Sequence, residues 1–367
     1  MERRIVMLVD LDYFFAQCEE LRHPELKKKP VVVGMYSGRT EESGVVSTAN
    51  YLAREYGVKS GIPLYLAKKR LEGTDAVFLP ADHEYYERIS SSIMQMLRSY
   101  ADTFEQVGID EAYLDVAQKV DGNYDVAVEL AQQLKAEASK HVKISFSVGI
   151  GPNKIIAKMA CDFKKPDGLT VVRPEEIEQF LTPLPVNSLL GVGRKTSEKL
   201  QELGVKTLGD LARFDIQRLV EVFGKNLGVY FHNAANGIDN SPVQETGEAG
   251  SISRIATLKE NTCDLALILE KVNQLADDIH KELVEKNLRF KQVGIMAILT
   301  DLTLRSRSKT FDQPLRDLDT IIRVVRELFE RFLDESDLEV RRVGVKVSGF
   351  AKEEVTQKQL TSFFTDQ

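Results

Sequence analysis

Residues 5–9 are a continuous apolar run of strand length, and from there the alternation of apolar and polar positions lays out the rest of the chain. A helical segment ends near Lys28, and a short apolar strand follows at 31–33. After a polar loop at 36–44 the pattern predicts a helix over about 48–56, stopped by Gly57, and a second over 63–71 opened by Pro63. A long amphipathic helix is expected at 84–100, strands at 104–109 and 111–116 meeting at Asp110, a helix at 124–140 and an alternating strand at 143–150. With the first strand these read β-α-β-β-α-β, a split-βαβ sheet carrying a helical insertion after its first strand. Residues 173–236 read as short helices broken by glycine, and 237–251 as a linker rich in Gly, Asn, Ser and Glu. A second sheet domain is expected at 252–350: strand 252–260, helix 264–287, a strand pair at 288–310, helix 316–333 and strand 341–350. A polar tail at 351–367 holds three apolar anchors. The pattern therefore describes a multidomain α/β and α+β chain.

Composition narrows the class. The 367 residues are 43% hydrophobic and 29% charged, as in ordinary globular chains, and no apolar run approaches the ~20 residues that span a bilayer. The expectation is a soluble cytoplasmic protein without a membrane partner. Cys18, Cys161 and Cys263 lie far apart with no CxxC, and the five histidines show no ligand spacing, which argues against a disulfide frame or a thiolate zinc site. The net charge of −7 taken alone argues against nucleic acid, but its distribution argues the other way. In 252–350 the strand segments carry ten basic residues against two acidic ones, while the two helices are acidic. A basic sheet backed by acidic helices suits a surface that lies along phosphates, with Arg254, Arg305, Arg307 and Arg341 as expected contacts. Solvated faces with chance imbalance are the bland alternative.

In a split-βαβ sheet the third strand lies beside the first, and the first two strands run parallel. The turn after the second strand then sits at the C-terminal edge of the first. Asp10 ends the first strand and Asp110-Glu111 form that turn, so carboxylates distant in sequence meet on one sheet edge, with Asp12 close by. Side by side they repel unless cations hold them, and an all-oxygen set with no His or Cys suits Mg²⁺ or Mn²⁺. A pair of such ions can activate an attacking hydroxyl and stabilise a leaving pyrophosphate. Each acid seen alone is a plausible turn cap; the arrangement favours a site.

Three stretches carry a resemblance. Val9-Asp10-Leu11-Asp12-Tyr13-Phe14-Phe15-Ala16, Gly108-Ile109-Asp110-Glu111-Ala112-Tyr113-Leu114-Asp115 and Ser147-Val148-Gly149-Ile150 with Asn153-Lys154 and Lys158-Ala160 resemble the Y-family DNA polymerases, closest to the DinB branch and its archaeal members. The resemblance implies a palm over 1–14 and 81–172, fingers over 15–80, a thumb over 173–236, the linker at 237–251, a little finger over 252–350 and a clamp-binding tail at 351–367. It assigns metal binding to Asp10, the main-chain carbonyl of Leu11, Asp110 and Glu111, and leaves Asp12 out of the ligand set.

For the incoming deoxynucleoside triphosphate, Thr48, Tyr51 and Arg54 fall at i, i+3 and i+6, so one helix face would present two hydroxyls and a guanidinium. Lys165 lies in the loop Phe163-Lys164-Lys165-Pro166-Asp167-Gly168, and the resemblance gives all four to the triphosphate. Phe15 reads as core packing or, by the resemblance, as a steric gate that excludes a ribose 2′-hydroxyl. By the resemblance, Val45 and Ser47 would sit under the nascent pair. In the thumb, Gly191, Gly193 and Lys195 precede a helix whose start can hold a phosphate through backbone N–H groups, as in a helix-hairpin-helix. In the tail, Gln357, Leu360, Phe363 and Phe364 resemble a peptide that docks on PCNA-type sliding clamps.

The expected activity is template-directed addition of deoxynucleotides to a primer 3′ end by a monomer on primer-template DNA. No stretch is free for a proofreading nuclease, and the short fingers would press only lightly on the nascent pair. Low fidelity and lesion bypass follow. A signalling nucleotidyl cyclase and a catalytically idle DNA-binding scaffold are the rivals.

Overall fold

The computed structural model describes residues 4–245, 247, 249–335 and 337–352. Its chain divides into two compact units, Met1–Met35 with Val45–Thr246, and Tyr36–Gly44 with Gly247–Gln367.

The first unit is organised on β1 (Val6–Leu11). Met7, Val9 and Leu11 join one buried cluster, while Val6 and Leu8 join another on the opposite face. A strand covered on both sides has no polar face to show, which is why the run 5–9 is continuously apolar. Helix α1 (Phe14–Arg22) leads to β2 (Val31–Tyr36) and β3 (Gly44–Ala49), then to α2 (Tyr51–Glu55), α3 (Leu64–Arg70) and β4 (Val77–Pro80). These strands form a small sheet in the order β3-β2-β4. The expected helical insertion is therefore a sheet with short helices, and the helix predicted over 48–56 is corrected: Thr48 lies on β3. The run Val45-Val46-Ser47-Thr48 is rich in β-branched residues, and Asn50 ends it as the cap of α2, its side chain accepting from Ala53 N (3.1 Å) and Val31 N (2.9 Å).

The chain continues through α4 (His83–Ser99), β5 (Thr103–Gln106), β6 (Glu111–Asp115), α5 (Tyr124–His141), β7 (Phe146–Gly151), α6 (Lys154–Phe163) and β8 (Leu169–Val171). The large sheet runs β5-β6-β1-β7-β8, with β1 antiparallel to both β6 and β7. The third strand of the split-βαβ pattern thus lies beside the first, as its topology requires. Helix α6 lies directly on β7: a Cβ on Gly149 would stand 2.0 Å from the Ala157 carbonyl oxygen.

Helices α7 (Ile177–Leu181), α8 (Arg194–Glu202), α9 (Leu208–Arg213), α10 (Ile216–Phe223) and α11 (Lys225–Ala235) follow, and their apolar faces share a cluster with Ile155, Ile156, Met159 and Ala160 of α6. The segment expected as a linker is held along its first half. Val243 is buried against β1, Gln244 N donates to Glu105 (3.1 Å), Arg98 binds Glu245 (2.5 Å) and Arg4 binds the Ser241 carbonyl (2.6 Å).

The second unit is an antiparallel sheet, ordered β11-β10-β12-β9, with helices on one face. Its elements are β9 (Ser251–Thr262), α12 (Leu265–Glu285), β10 (Leu288–Leu299), β11 (Leu304–Leu315), α13 (Leu318–Asp334), β12 (Val340–Ser348) and the short β13 (Ala351–Lys352). Val293, Ile295, Val343 and Val345 point to the helices and form the core with them. The loop 36–44 belongs to this unit, where Arg39 donates to the carbonyls of Leu258 (2.6 Å) and Arg341 (3.3 Å), at the bulge that shifts the β9–β12 register.

Candidate active site

Sheet register assembles the centre. Asp10 pairs directly with Glu111 across β1 and β6, and Leu11 N donates to the Asp110 carbonyl at 2.8 Å. From α4, the Ser90 hydroxyl donates to the Ile109 carbonyl, which ties the turn 107–111 to the helix behind it. Asp10, Asp110 and Glu111 therefore share the edge that the sequence pattern assigned them. Burial, then the Asp10 charge, hold the Asp110 carboxyl above its ordinary range; burial also raises Glu111, against the opposing pull of Lys158.

Two ammonium groups lie among these acids. Lys158 Nζ is 3.0 Å from Asp10 and 3.0 Å from Glu111, and Lys165 Nζ is 2.7 Å from Asp10. Burial alone would lower both lysines; the surrounding carboxylates, Asp10 foremost, raise them instead. Among the described residues no three carboxylate, His or Cys side chains are yet gathered as a cage for an ion. The donor set nevertheless fits a hard divalent cation: partly buried carboxylates, two of them raised, with oxygen the sole ligand element.

Asp12 turns away from this group. It is 1% exposed, and it accepts from the Ser147 hydroxyl (2.8 Å), the Ser145 hydroxyl (3.3 Å) and Asp167 N (2.8 Å). Its work is to hold the loop that carries Lys165. Lys135 grips the same loop, donating to Asp167 Oδ1 (2.7 Å) and to the carbonyls of Asp167 (3.0 Å) and Phe146 (2.6 Å). The sheet-edge pattern alone would count Asp12 with the edge carboxylates; the resemblance leaves it out, and its hydrogen bonds give it this other work.

The expected nucleotide residues come from separate elements. Thr48 is on β3; Tyr51 and Arg54 are on α2, so the shared helix face is limited to that pair. The Arg54 guanidinium lies over the Tyr51 ring at 4.7 Å, and its Nε donates to the Ala49 carbonyl at 2.9 Å. Tyr51 meets Tyr13 edge-on at 5.4 Å. Tyr13 caps α1 with a left-handed backbone, φ 36°, an unusual conformation for an aromatic residue and one that occurs here at the turn out of the centre. Phe15 is half-buried and stacks on Tyr86 at 4.5 Å, and Tyr86 is itself fixed by a 2.6 Å bond to Glu19. Val45 and Ser47 share one face of β3, opposite buried Val46. A cleft of about 760 Å³ borders this region through Tyr13, Tyr51 and Asp167 but holds none of the edge carboxylates.

In the helical segment, Gly191 has φ 87° and Gly193 caps α8, leaving the first turn with exposed Arg194 and Lys195. Gly224, φ 83°, makes the corresponding turn between α10 and α11.

The expected basic sheet face needs correction. Cross-strand partners share a face, and Arg254, Arg305 and Arg307 pair with Val345, Ala297 and Ile295, which point to the helices. On the edge strands they overhang that layer. Arg254 binds Glu282 (2.6 Å) and Arg307 binds Glu335 (2.9 Å). The open face instead carries Arg342 and Lys346 among Ser253, Thr257, Gly344, Ser306 and Ser308. Charge summed by element could not separate the two faces; register does. Arg341 sits at the β12 bulge. Gln357, Leu360, Phe363 and Phe364 lie outside the described residues.

A sheet edged by carboxylates, with cationic loops and a helical hairpin domain in the same chain, is the architecture of a nucleotidyl-transferring polymerase. Residues 9–162 match the impB/mucB/samB family, residues 249–362 its C-terminal domain, and residues 187–239 the thumb domain of DNA polymerase iota. DNA polymerase IV of Nitrosopumilus maritimus is 44% identical, covering 99% of this chain and 100% of the relative. DNA polymerase IV of Methanosarcina acetivorans is 45% identical over the same shares. Among solved structures, a Y-family chimera of Dbh and Dpo4 superposes with a TM-score of 0.89 at 37% identity, covering 95% of this chain and 99% of that one. The insertion ternary complex of Dbh DNA polymerase gives 0.69 at 37% identity over the same shares. The chain belongs to the Y family of DNA polymerases, on its DinB (DNA polymerase IV-like) branch. It is accordingly a DNA-directed DNA polymerase with translesion character, which answers both the cyclase and the idle-scaffold readings.

Proposed function

We propose that the chain extends a primer 3′ end opposite damaged as well as intact templates, with Asp10, Asp110, Glu111 and the Leu11 carbonyl holding two Mg²⁺ ions, or Mn²⁺ in their place. The observation that carries this reading is the in-register pairing of Asp10 with Glu111 beside Asp110. Divalent cations held there supply Lewis acidity to the attacking hydroxyl and the departing pyrophosphate. The chain's own groups do the rest. Thr48, Tyr51, Arg54 and Lys165 hold and orient the triphosphate. Phe15 guards the sugar. Val45 and Ser47 face the nascent pair and, being small, constrain it little, in keeping with low fidelity. Gly191, Gly193 and Lys195 take a backbone phosphate of primer-template DNA. Arg254, Arg305, Arg307 and Arg341, at strand edges and a bulge, together with Lys346 on the open face, take others; Arg254 and Arg307 must first leave Glu282 and Glu335.

The enzyme acts as a monomer in the cytoplasm; among the described residues no helix is long and apolar enough to cross a membrane. Gln357, Leu360, Phe363 and Phe364 dock it on a PCNA-type clamp, a reading supported by their spacing in the sequence. The test is primer extension. Asp110→Ala or Glu111→Ala should abolish extension while primer-template affinity stays within about twofold, because the carboxylates stabilise the transition state and do not touch DNA. Near-normal extension by either variant would remove the assignment.

A further inference from the structure

Lys158 and Lys165 close a square of ion pairs with two acids, of which Asp162 has no place in the catalytic set. Lys158 Nζ reaches Asp10 Oδ2 at 3.0 Å, Glu111 Oε1 at 3.0 Å and Asp162 Oδ2 at 3.5 Å. Lys165 Nζ reaches the same Asp10 oxygen at 2.7 Å and Asp162 Oδ1 at 3.0 Å. Each ammonium thus rests at once on a carboxylate proposed to hold a cation and on Asp162. The lysine side chains are 16% and 24% exposed, whereas Asp162 is 47% exposed.

The two kinds of contact differ in what can separate them. Asp162 lies on α6 four residues after Lys158, and three residues before Lys165 in the loop that follows, so both of its pairs are local in sequence. The bonds to Asp10 and Glu111 span the fold and compete directly with cation binding. An oxygen that accepts two ammonium groups cannot also take a divalent cation, because three positive centres would crowd one carboxylate. Lys165 faces a second conflict: while its ammonium is bonded to Asp10, it is not available to a triphosphate.

We propose that Asp162 is the positioning acid that receives Lys158 and Lys165 when they leave Asp10 and Glu111, so that filling the carboxylates releases Lys165 toward the triphosphate. This rests on the proposed role of Asp10 and Glu111. The lysines offset the mutual repulsion of Asp10 and Glu111, Asp162 keeps both ammonium groups close at hand, and their transfer couples the two loading events. Coupling of this kind is reciprocal: nucleotide bound to Lys165 should strengthen cation binding by the factor that cation binding strengthens nucleotide.

The experiment is Mn²⁺ binding to the full-length protein by titration calorimetry, without DNA or nucleotide. Lys158→Gln removes a competitor and should bind Mn²⁺ several-fold more tightly than the parent. Asp162→Asn withdraws the receiving acid and should bind it several-fold more weakly, and its exposed position makes it tolerant of substitution. In the Lys158→Gln background the Asp162→Asn loss should shrink, whereas an Asp162 that merely attracted or ligated the ion would give the same loss in both backgrounds. Equal losses, or unchanged affinity in Lys158→Gln and Asp162→Asn, would overturn the proposal. If the parent and the Asp10→Ala, Glu111→Ala double variant bind Mn²⁺ alike, the carboxylate assignment itself fails.

Discussion

Asp110 sits partly buried beside a like charge, a strain that the proposed cation would relieve. Its carboxyl is held above the ordinary range, first by burial and then by Asp10, while the unfolded chain ionises it at the ordinary value. Between those two values the unfolded chain has released the proton and the folded chain has not, so rising pH favours unfolding through that window. The cost is absent below the window and complete above it. Asp110→Asn should therefore raise the melting temperature of the metal-free protein by a few degrees at neutral pH, and the gain should vanish near about pH 3, below the ordinary carboxylate value. Scanning calorimetry across pH checks this; a neutral-pH loss would contradict it. At Phe15 the ring is braced from below by Tyr86. Truncation to Ala should relax discrimination against ribonucleotides by roughly 10–200-fold, read as the ratio of kcat/KM values, with a smaller change for deoxynucleotides. An unchanged ratio would leave the ring a packing residue. Residue by residue, the three edge carboxylates were legible because strand order forces them together. Strand order alone would also count Asp12, because spacing does not show which way a side chain turns; the resemblance is what leaves it out. Lys158 and Asp162 received no role because lysine–acid pairs four apart on a helix are usually solvated.

At the scale of elements, the strands and helices of the second unit follow closely from alternation and helical period. The small sheet beside the centre was only half visible. β3 is six residues long and runs through Ala49 to the capping residue Asn50, so its last two residues read as the start of the following helix and 45–47 carry no element in the pattern. The facing of basic residues was invisible to any count made by element, because a step of one residue reverses the face. Packing of α6 on β7 depends on Gly149, where an added methyl group would meet backbone atoms on α6 at 2.0 and 2.2 Å. Those atoms cannot rotate away, so the helix must shift and carry Lys158 with it. Gly149→Ala should cost about 1–3 kcal/mol or more by denaturant unfolding. It should also reduce extension by more than the loss of folded protein explains. A variant with parental stability would show that α6 has room to move.

For the molecule as a whole, a polymerase expected to leave DNA after few additions would gain most from being tethered near its substrate. A clamp contact converts rebinding into an intramolecular event at high effective concentration. In the proposed docking, burial of Leu360, Phe363 and Phe364 would contribute ~1.5–3 kcal/mol for each side chain before ordering costs, enough for micromolar-class affinity. Removing 357–367 should leave single-nucleotide addition intact and eliminate stimulation by the cognate clamp, and Phe363→Ala with Phe364→Ala should reproduce the loss. Equal stimulation of the shortened chain would discard the peptide. The segment held through Glu245 bears on modular exchange. Composition marks the whole of 237–251 as spacer, which invites a graft junction anywhere within it. Val243 instead packs on β1, Gln244 N bonds Glu105 of β5 and Glu245 pairs with Arg98 of α4. Swapping the C-terminal module at residue 237 would strip those contacts and import foreign ones. A junction after Thr246 would transplant the module while leaving the recipient sheet dressed in its own chain.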